Sequence, residues 1–294
     1  MSIIKSYAVG NGDMFYVEHG SDNFTIIDCC LCDDNQKAIL NEVSSLGSRK
    51  GITRFISTHP DGDHIQGLEA LDDKIAILNF YCVKNKVTKE DVTTSFTRYC
   101  ELRDSSKAFY ISKGCTRKWM NQEDNTRGSS GINILWPNTD HDSFKEALED
   151  AEEDDGSPNN ISAIIRYKLN GGVTALWMGD LETDFMEAIE ADLDLPKVDL
   201  LFAPHHGRDS GKIPESLLQK MSPQIIVIGE APSEYLNYYS GYNIMTQNST
   251  GDILFECESG VVHVFTSTKY CVDFLEDQNQ KRQNYYYAGT LNVV

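Results

Sequence analysis

The sequence of 294 residues contains no run of about 20 apolar residues, which is the length that a helix needs to cross a bilayer. Its first residues, Met1-Ser2-Ile3-Ile4-Lys5, lack the apolar segment of a secretory signal peptide. The eight cysteines are scattered along the chain without the regular spacing of a disulfide framework. We therefore expect a cytoplasmic protein with reduced thiols and without a membrane partner.

Positive charge is scarce in this chain. There are 26 Lys and Arg residues against 45 Asp and Glu residues, which gives a formal net charge of −19. A surface this acidic repels nucleic acid backbones unless a local basic groove or bound cations offset the repulsion. The composition therefore argues against a broad, non-specific DNA-binding protein. It suits a protein that gathers divalent cations, although solubility alone is the simpler explanation of the charge.

The hydrophobic pattern predicts strands with interspersed helices in both halves of the chain. Runs of β-branched and aromatic residues predict strands at residues 14–17, 24–27, 54–58, 132–136, 163–167, 173–177, 200–202, 225–228 and 261–265. Helices are predicted at about 35–46, from apolar positions at helical spacing, and at about 65–71. This order suits two mixed β-sheets packed face to face with helices outside, an α/β fold of the αββα sandwich type.

Residues 1–294 are expected to form a single domain, because sheet enzymes of this length often fold as one unit. The stretch from about 85 to 158 does not follow the pattern clearly, and we interpret it as an insert. The last residues, from about 268 to 294, are interpreted as a C-terminal extension.

Two histidines and two carboxylates lie within six residues, in the run His59-Pro60-Asp61-Gly62-Asp63-His64. The run directly follows a predicted buried strand. Imidazole and carboxylate groups concentrated at a strand end are typical of a metal site. The alternative is a polar loop whose carboxylates only cap the helix that follows. A cap needs one such residue, so this composition favours the metal site.

This run resembles the HxHxDH signature of metallo-β-lactamase-fold hydrolases. It has the variant form with aspartate as the second histidine, which is characteristic of the hydrolase domain of ComEC-like DNA-uptake proteins and of stand-alone relatives. Five other segments resemble motifs of the same family in the same order: residues 9–13 (VGQGD), 26–30 (a strand ending in a buried aspartate), 159–162 (NNxS), 178–182 (TGDxE) and 203–207 (PHHGS). The chain departs from these motifs at Asn11, Cys29-Cys30 and Arg208, where glutamine, glycines and serine are usual.

Carried over by position, the resemblance implies a site for two divalent metal ions. His59 and Asp61 would hold one ion, and Asp63 and His64 would hold the second. Asp180 would bridge the two ions.

The remaining positions of the implied site are less strictly assigned. We prefer His206 to His205 as the last ligand of the site. Asn160 lies where many relatives supply a histidine, so its amide oxygen or a water would complete the first ion's ligands. Asp28 is expected to orient the histidine run rather than to bind metal.

The implied ligand set also bears on the identity of the metal. With Asp61 and Asn160 in place of two histidines, the site is richer in hard oxygen ligands. Such ligands favour Mn²⁺ or Mg²⁺ relative to an all-histidine zinc site. We therefore expect two manganese ions, with Zn²⁺ or Mg²⁺ as the alternatives.

The resemblance implies a dinuclear-metal hydrolase, and we expect a phosphodiesterase or nuclease. Two cations about 3.5–4 Å apart can hold a bridging hydroxide that attacks a phosphodiester in line with the leaving oxygen. Asp63, Asp180 and His205 are the expected catalytic residues, with His205 as the proton donor to the leaving group.

Several aspects of function stay open in the sequence. The net charge favours short or cyclic nucleotide substrates over long DNA. A stand-alone hydrolase with a partner protein from a defence or signalling operon would fit, and no oligomeric state is specified. The alternatives are hydrolysis of a small lactam, ester or thioester, and a metal-containing sensor or binding subunit that acts through a partner.

Overall fold

The computed structural model describes residues 1–154, 156–229 and 238–293. Their strands, in chain order, are β1 (Ser2–Ser6), β2 (Phe15–Glu18), β3 (Asn23–Ile27), β4 (Cys29–Cys30), β5 (Ile52–Ile56), β6 (Phe80–Cys82), β7 (Ala108–Tyr110), β8 (Ile132–Trp136), β9 (Ile164–Lys168), β10 (Thr174–Trp177), β11 (Leu200–Phe202), β12 (Ile225–Ile228), β13 (Ile244–Thr246), β14 (Ile253–Glu258), β15 (Val261–Thr266) and β16 (Tyr286–Asn292). Their α-helices are α1 (Gln36–Gly47), α2 (Gly62–Ile65), α3 (Leu68–Ile75), α4 (Thr94–Arg103), α5 (Asp142–Glu152), α6 (Thr183–Ile189), α7 (Glu215–Met221) and α8 (Gln247–Thr250). No helix in these ranges combines the length and the apolar character needed to span a membrane.

The strands form two mixed sheets. The first sheet has the order β16-β15-β14-β1-β2-β3-β5-β6-β7, with β3, β5, β6 and β7 parallel to one another. The second sheet has the order β13-β12-β11-β10-β9-β8, with β10 to β13 parallel. The short strand β4 extends β3 and bridges to the segment that follows the histidine run, through Cys29 with Ile65 and Cys30 with Gln66.

Aromatic side chains from both sheets fill the space between them. Trp177 of β10 stacks on Phe202 of β11 with ring centroids 4.7 Å apart. Phe15 of β2 approaches Phe202 edge-on at 5.0 Å, and Phe255 of β14 approaches it at 6.3 Å. Because β2 and β14 belong to the first sheet and β10 and β11 to the second, this aromatic cluster joins the two inner faces.

Helices cover the other face of each sheet. On the first sheet, Glu42 of α1 accepts hydrogen bonds from Lys5 of β1 (2.8 Å) and Tyr16 of β2 (3.2 Å). On the second sheet, Phe144 of α5 and Phe185 of α6 both contact Trp136 of β8, each with ring centroids 6.1 Å apart. The predicted αββα sandwich is therefore confirmed.

Two regions have more regular structure than their sequence patterns indicate. Residues 85–158, interpreted as an insert, contribute β7 to the first sheet and β8 to the second. The C-terminal segment contributes β16, which pairs with β15 at the edge of the first sheet. The single helix predicted at about 65–71 is instead two helices, α2 and α3, because Gly67 between them has a φ of 80°.

Candidate metal centre

The motif residues follow strands that run in the same direction in each sheet. In the first sheet, β3 is parallel to β5, and these strands lead into Asp28 and His59. In the second sheet, β10 is parallel to β11, and these strands lead into Asp180 and the pair His205-His206. The carboxyl ends of parallel strands meet at one edge of a sheet, which is where open α/β sheets place their ligand sites. The two edges face each other across the interior of the sandwich, because Asp180 of the second sheet lies 4.0 Å from His59 of the first sheet.

The carboxylate of Asp180 lies at the middle of this region. The nearest nitrogen of His64 is 2.9 Å from it, and those of His206, His205 and His59 are 3.6, 3.8 and 4.0 Å away. Asp180 is only 2% exposed. Four imidazole rings from two separate strand ends therefore surround one buried carboxylate, which follows a third strand.

The ring of His64 is held between two carboxylates. Its Nδ1 lies 2.9 Å from Oδ2 of Asp28, and its Nε2 faces Asp180. Asp28 also accepts hydrogen bonds from the backbone N–H (2.7 Å) and the hydroxyl (2.7 Å) of Thr58. A carboxylate on the far nitrogen fixes the ring orientation and the tautomer of a metal-binding histidine. Asp28 therefore contacts the ring nitrogen of His64 that faces away from Asp180, as expected for a residue that orients the histidine and does not itself bind metal.

His206 is flanked by two carboxylates, one of which the sequence did not assign. Its Nε2 lies 3.2 Å from Oδ2 of Asp63, and its Nδ1 lies 3.3 Å from Oδ1 of Asp13. Ligand atoms of Asp13, His64, Asp180 and His206 all lie within 4.8 Å of one another, and all four residues are buried. Asp13 therefore joins the centre. The sequence signal for Asp13 is its place at the end of the motif at residues 9–13.

Two glycines allow the loops to approach this closely. A Cβ on Gly12 would lie 2.6 Å from the carbonyl oxygen of Asp63, and the next residue, Asp13, donates its N–H to that same oxygen (3.1 Å). Gly179 has a φ of 54°, and a Cβ there would lie 2.7 Å from the side chain of Ser162. That hydroxyl is 3.0 Å from the backbone nitrogen of Asp180 and receives its hydrogen bond. Larger residues at these two positions would displace Asp13 and Asp180.

Asp61 and Asn160 are used differently from what the resemblance implies. Oδ1 of Asp61 accepts the N–H of Gly62 (2.8 Å), so Asp61 caps α2, and it also accepts a hydrogen bond from the ammonium of Lys89. Asn160 donates to Glu182 (2.9 Å) and accepts the backbone N–H of Glu182 (3.1 Å). Both polar atoms of its amide thus have a protein partner, and the expectation that Asn160 completes the first metal position stays a prediction.

His205 occupies a position distinct from that of His206. Its Nδ1 is 2.9 Å from the hydroxyl of Ser210, and its Nε2 is 3.4 Å from the guanidinium of Arg208. Arg208 also donates to the side chain of Asn11. The side chain of His205 is 12% exposed, whereas that of His206 is 0% exposed. His206 is therefore the more enclosed member of the pair, and His205 lies between the centre and solvent.

The buried charges shift one another's protonation. Burial acts to lower the pKa of His64, but the carboxylates of Asp180 and Asp28 outweigh it and hold the pKa well above its usual value. Burial likewise opposes Asp13 and Asp180 at His206, and the carboxylates raise its pKa to about 10. For Asp180, burial acts to raise the pKa, but His64 and His206 hold it well below its usual value. Without a bound cation, two imidazolium groups therefore balance the carboxylates near pH 7.

The donor set fits a divalent cation. Nε2 of His59, Nε2 of His64, Oδ1 of Asp180 and Nδ1 of His206 are buried and make no hydrogen bond. The 2.9 Å contact between His64 and Asp180 lacks hydrogen-bond geometry. Opposite charges face His64, Asp180 and His206 without hydrogen-bond geometry, and one divalent cation would be a common partner for all four atoms. Nitrogen and carboxylate oxygen donors together suit manganese, iron or zinc.

Binding of a divalent ion near pH 7 should release about two protons, because His64 and His206 are both protonated there and a ligating nitrogen must lose its proton. Metal affinity should therefore increase as the pH rises from 7 towards the His206 pKa of about 10. Calorimetric titration in buffers of different ionisation enthalpy measures the release. A His263→Gln variant, changed on β15 outside the centre, should behave like the unaltered protein. Binding that releases no protons would contradict this assignment.

No protein-family model matches the chain, and no curated protein is similar to it in sequence. Solved structures are similar in fold. Igni18, a metallo hydrolase of the hyperthermophilic archaeon Ignicoccus hospitalis, is 16% identical, and the alignment covers 86% of this chain and 99% of Igni18 with a TM-score of 0.50. A metallo-β-lactamase of Cronobacter sakazakii is 13% identical over 67% of this chain and 76% of its own, with a TM-score of 0.36.

A third similar structure has a different activity. CmlA, a diiron β-hydroxylase of Streptomyces venezuelae, is 11% identical over 80% of this chain and 45% of its own, with a TM-score of 0.42. At these identities the similarity shows the fold alone. The chain thus has the metallo-β-lactamase fold. The finer resemblance to ComEC-like hydrolases stays a prediction.

Proposed function

We propose that this chain is a metal-dependent hydrolase that cleaves phosphodiester bonds. The observation that carries the proposal is the ring of four imidazoles within 4.0 Å of the buried carboxylate of Asp180. A cluster held together by hydrogen bonds alone would pair Nε2 of His59, Nε2 of His64 and Nδ1 of His206. None of these three buried atoms makes a hydrogen bond here. A divalent cation bound there supplies positive charge that activates water and stabilises charge on the attacked group.

The chain's own residues divide into binding and positioning groups. Asp63, His64, Asp180 and His206, together with Asp13, offer the donors that would hold the cation. Three of these five are carboxylates, so the hard-ligand argument for Mn²⁺ applies at least as strongly with Asp13 included. Asp28 then acts as a positioning residue, because it contacts the far side of the His64 ring.

Two cationic side chains border the centre and favour an anionic substrate. The guanidinium of Arg208 lies 3.4 Å from His205, and Lys89 lies beside Asp61. Within the described ranges Arg208 forms no ion pair, so its remaining N–H groups can contact a substrate. In a chain with a formal net charge of −19, placing two cations at this site argues for a substrate such as a phosphodiester. The overall charge in turn favours short or cyclic nucleotides over long DNA.

His205 is the residue that would handle the proton of the leaving group. Burial is the main reason why the pKa of His205 lies below its usual value, with the nearby His206 and Arg208 adding to the effect. The ring is therefore neutral near pH 7, with Ser210 and Arg208 fixing its plane. In this state His205 takes up a proton before it can donate one, so it would act first as a base towards water.

The proposal predicts hydrolysis of phosphodiesters by the Mn²⁺-loaded protein. The measurement is the rate of hydrolysis in the presence of Mn²⁺, Mg²⁺ or Zn²⁺. The substrates compared are bis-p-nitrophenyl phosphate, linear oligonucleotides, cyclic dinucleotides, circular DNA and long duplex DNA. Short and cyclic substrates should be cleaved fastest. An Arg208→Gln variant should raise KM about tenfold or more, the size expected for losing one hydrogen bond to a charged group.

The matched control for Arg208 is Lys145→Gln, which removes a cation from α5 and should leave KM unchanged. Cleavage of an ester, thioester or lactam without any cleavage of phosphodiesters would contradict the proposed substrate class. An unchanged KM in Arg208→Gln would contradict the role of the guanidinium.

A further inference from the structure

The two metal positions implied by the sequence are unequal in this structure. We define the inner position by the donors Asp13, Asp63, His64, Asp180 and His206. We define the outer position by the donors His59 and Asp61, with the second oxygen of Asp180. At the inner position, ligand atoms of Asp13, His64, Asp180 and His206 lie within 4.8 Å of one another, and Oδ2 of Asp63 lies 3.2 Å from Nε2 of His206.

Two side chains that the sequence assigns to the outer position have other partners in this structure. Asn160 is bound to Glu182 through both atoms of its amide. Oδ1 of Asp61 is shared between the N–H of Gly62 and the ammonium of Lys89. Nε2 of His59 makes no hydrogen bond and lies 4.0 Å from Oδ2 of Asp180. A second ion would find in His59 and Asp180 the donors that it does not share with Lys89, whereas catalytic metal sites use at least three protein ligands.

Lys89 is held at Asp61 by the segment that carries it. The segment between β6 and α4 is fastened by Arg103, which donates to the carbonyl of Val87 (3.3 Å), and by Glu152, which accepts the N–H of Lys86 (2.6 Å). The side chain of Lys89 is only 22% exposed. In the part of the chain that the structure describes, its ammonium has no other hydrogen-bond or ion-pair partner.

A lysine ammonium is a compact single charge with three donors, so it can take the place of a cation beside a carboxylate. A dication entering the outer position would meet that positive charge at close range. It would also have to compete for the oxygen of Asp61. Both effects weaken a second ion without touching the donors of the inner position.

We propose that the ammonium of Lys89 is the built-in cation of the outer position, so that the chain binds one divalent ion tightly and a second only weakly. The inference rests on the proposed function insofar as both need the inner position to bind metal. It replaces the expectation of two equivalent ions with one metal ion and one lysine. Lys89 then becomes a group that can shift from Asp61 to an anionic oxygen of the substrate.

The test is a titration of metal-free protein with Mn²⁺, in which free and bound ions are separated by electron paramagnetic resonance. The unaltered protein should bind one ion tightly and a second about 100-fold more weakly or not at all. In Lys89→Met and in Lys89→Gln, the second ion should bind about 10–100-fold more tightly, while the affinity for the first ion stays the same. The variants with two ions should also show the spectrum of a spin-coupled manganese pair.

Two controls isolate the charge at Asp61. Lys89→Arg keeps a cation at this point and should keep the single-ion stoichiometry. Lys86→Gln removes an exposed cation from the same segment and should leave both affinities unchanged. Thermal unfolding of each variant without metal shows whether the segment remains folded.

The outcomes separate this inference from the proposed function. Two ions of equal affinity in the unaltered protein would overturn the role of Lys89 and leave the hydrolase proposal standing. Unchanged second-ion affinity in both lysine variants would overturn it as well. One tight ion with no phosphodiester cleavage would instead contradict the proposed function, and a protein that binds no divalent ion would contradict both.

Discussion

Replacing Asp180 by asparagine should remove both metal binding and hydrolysis. Its carboxylate lies within 4.0 Å of His59, His64, His205 and His206. Asparagine has nearly the same size but neither the charge nor the second acceptor oxygen. Losing an outer partner of a ligand costs about 10–100-fold in metal affinity, so losing this central donor should cost more than 100-fold.

The measurement is metal content after dialysis, together with turnover of bis-p-nitrophenyl phosphate. Asp199→Asn is the matched control, because Asp199 precedes β11 at the opposite end of the same sheet and binds Thr174 and Gln224. The metal-free Asp180→Asn protein should still fold, although the change also leaves the imidazolium groups of His64 and His206 less well balanced. Full metal content and turnover in the Asp180→Asn protein would contradict the central position of this carboxylate.

The variants His205→Ala and His206→Ala should have different phenotypes. His206→Ala should lose metal binding and activity together, because His206 is fully buried between Asp13, Asp63 and Asp180. His205→Ala should retain its metal ion and turn over about 100- to 10,000-fold more slowly, the range for loss of a general acid or base. Each variant is the other's control, since the two changes are chemically the same and one residue apart.

Metal content and turnover at several pH values are the readouts for this pair. In the unaltered protein the rate should fall as the pH drops through the lowered pKa of His205, and His205→Ala should lose that dependence. Loss of metal from His205→Ala with retention in His206→Ala would reverse the ligand assignment. Equal loss from both would make both residues ligands.

The parts of the centre that the sequence predicts are those that a strand and its next few residues determine. A buried strand ending in histidines and carboxylates places those groups at a sheet edge whatever the rest of the chain does. His59, His64, Asp180 and His206 all follow this rule. Strands such as β8 (Ile132–Trp136) and β12 (Ile225–Ile228) were located for the same reason, because their apolar runs are local signals.

What the sequence left out depends on contacts between distant segments. Asp13 enters the centre because Gly12 lets its loop pass within hydrogen-bond distance of the backbone of Asp63, 50 residues further along the chain. The pairing of Lys89 with Asp61 spans 28 residues and follows no motif. Such contacts are fixed by packing, and no periodicity or propensity reports them.

Asn160 shows that a position in a motif does not by itself determine the partner of a side chain. Its position in a family motif predicts a ligand, but Glu182 offers the amide a donor and an acceptor at once. The pattern of residues 85–158 is obscure for a related reason. Strand β7 has only three residues, and they are half-buried or exposed at the edge of the first sheet, so its apolar signal is weak.

The central claim is that loops from both sheets converge on a divalent ion beside Asp180. The most direct test is a crystal of the active, Mn²⁺-loaded protein measured at the manganese absorption edge. The anomalous density should show a strong peak within coordination distance of His64, Asp180 and His206, with Lys89 still beside Asp61. Density only at other places on the surface, or an active crystal without a peak at these residues, would contradict the account.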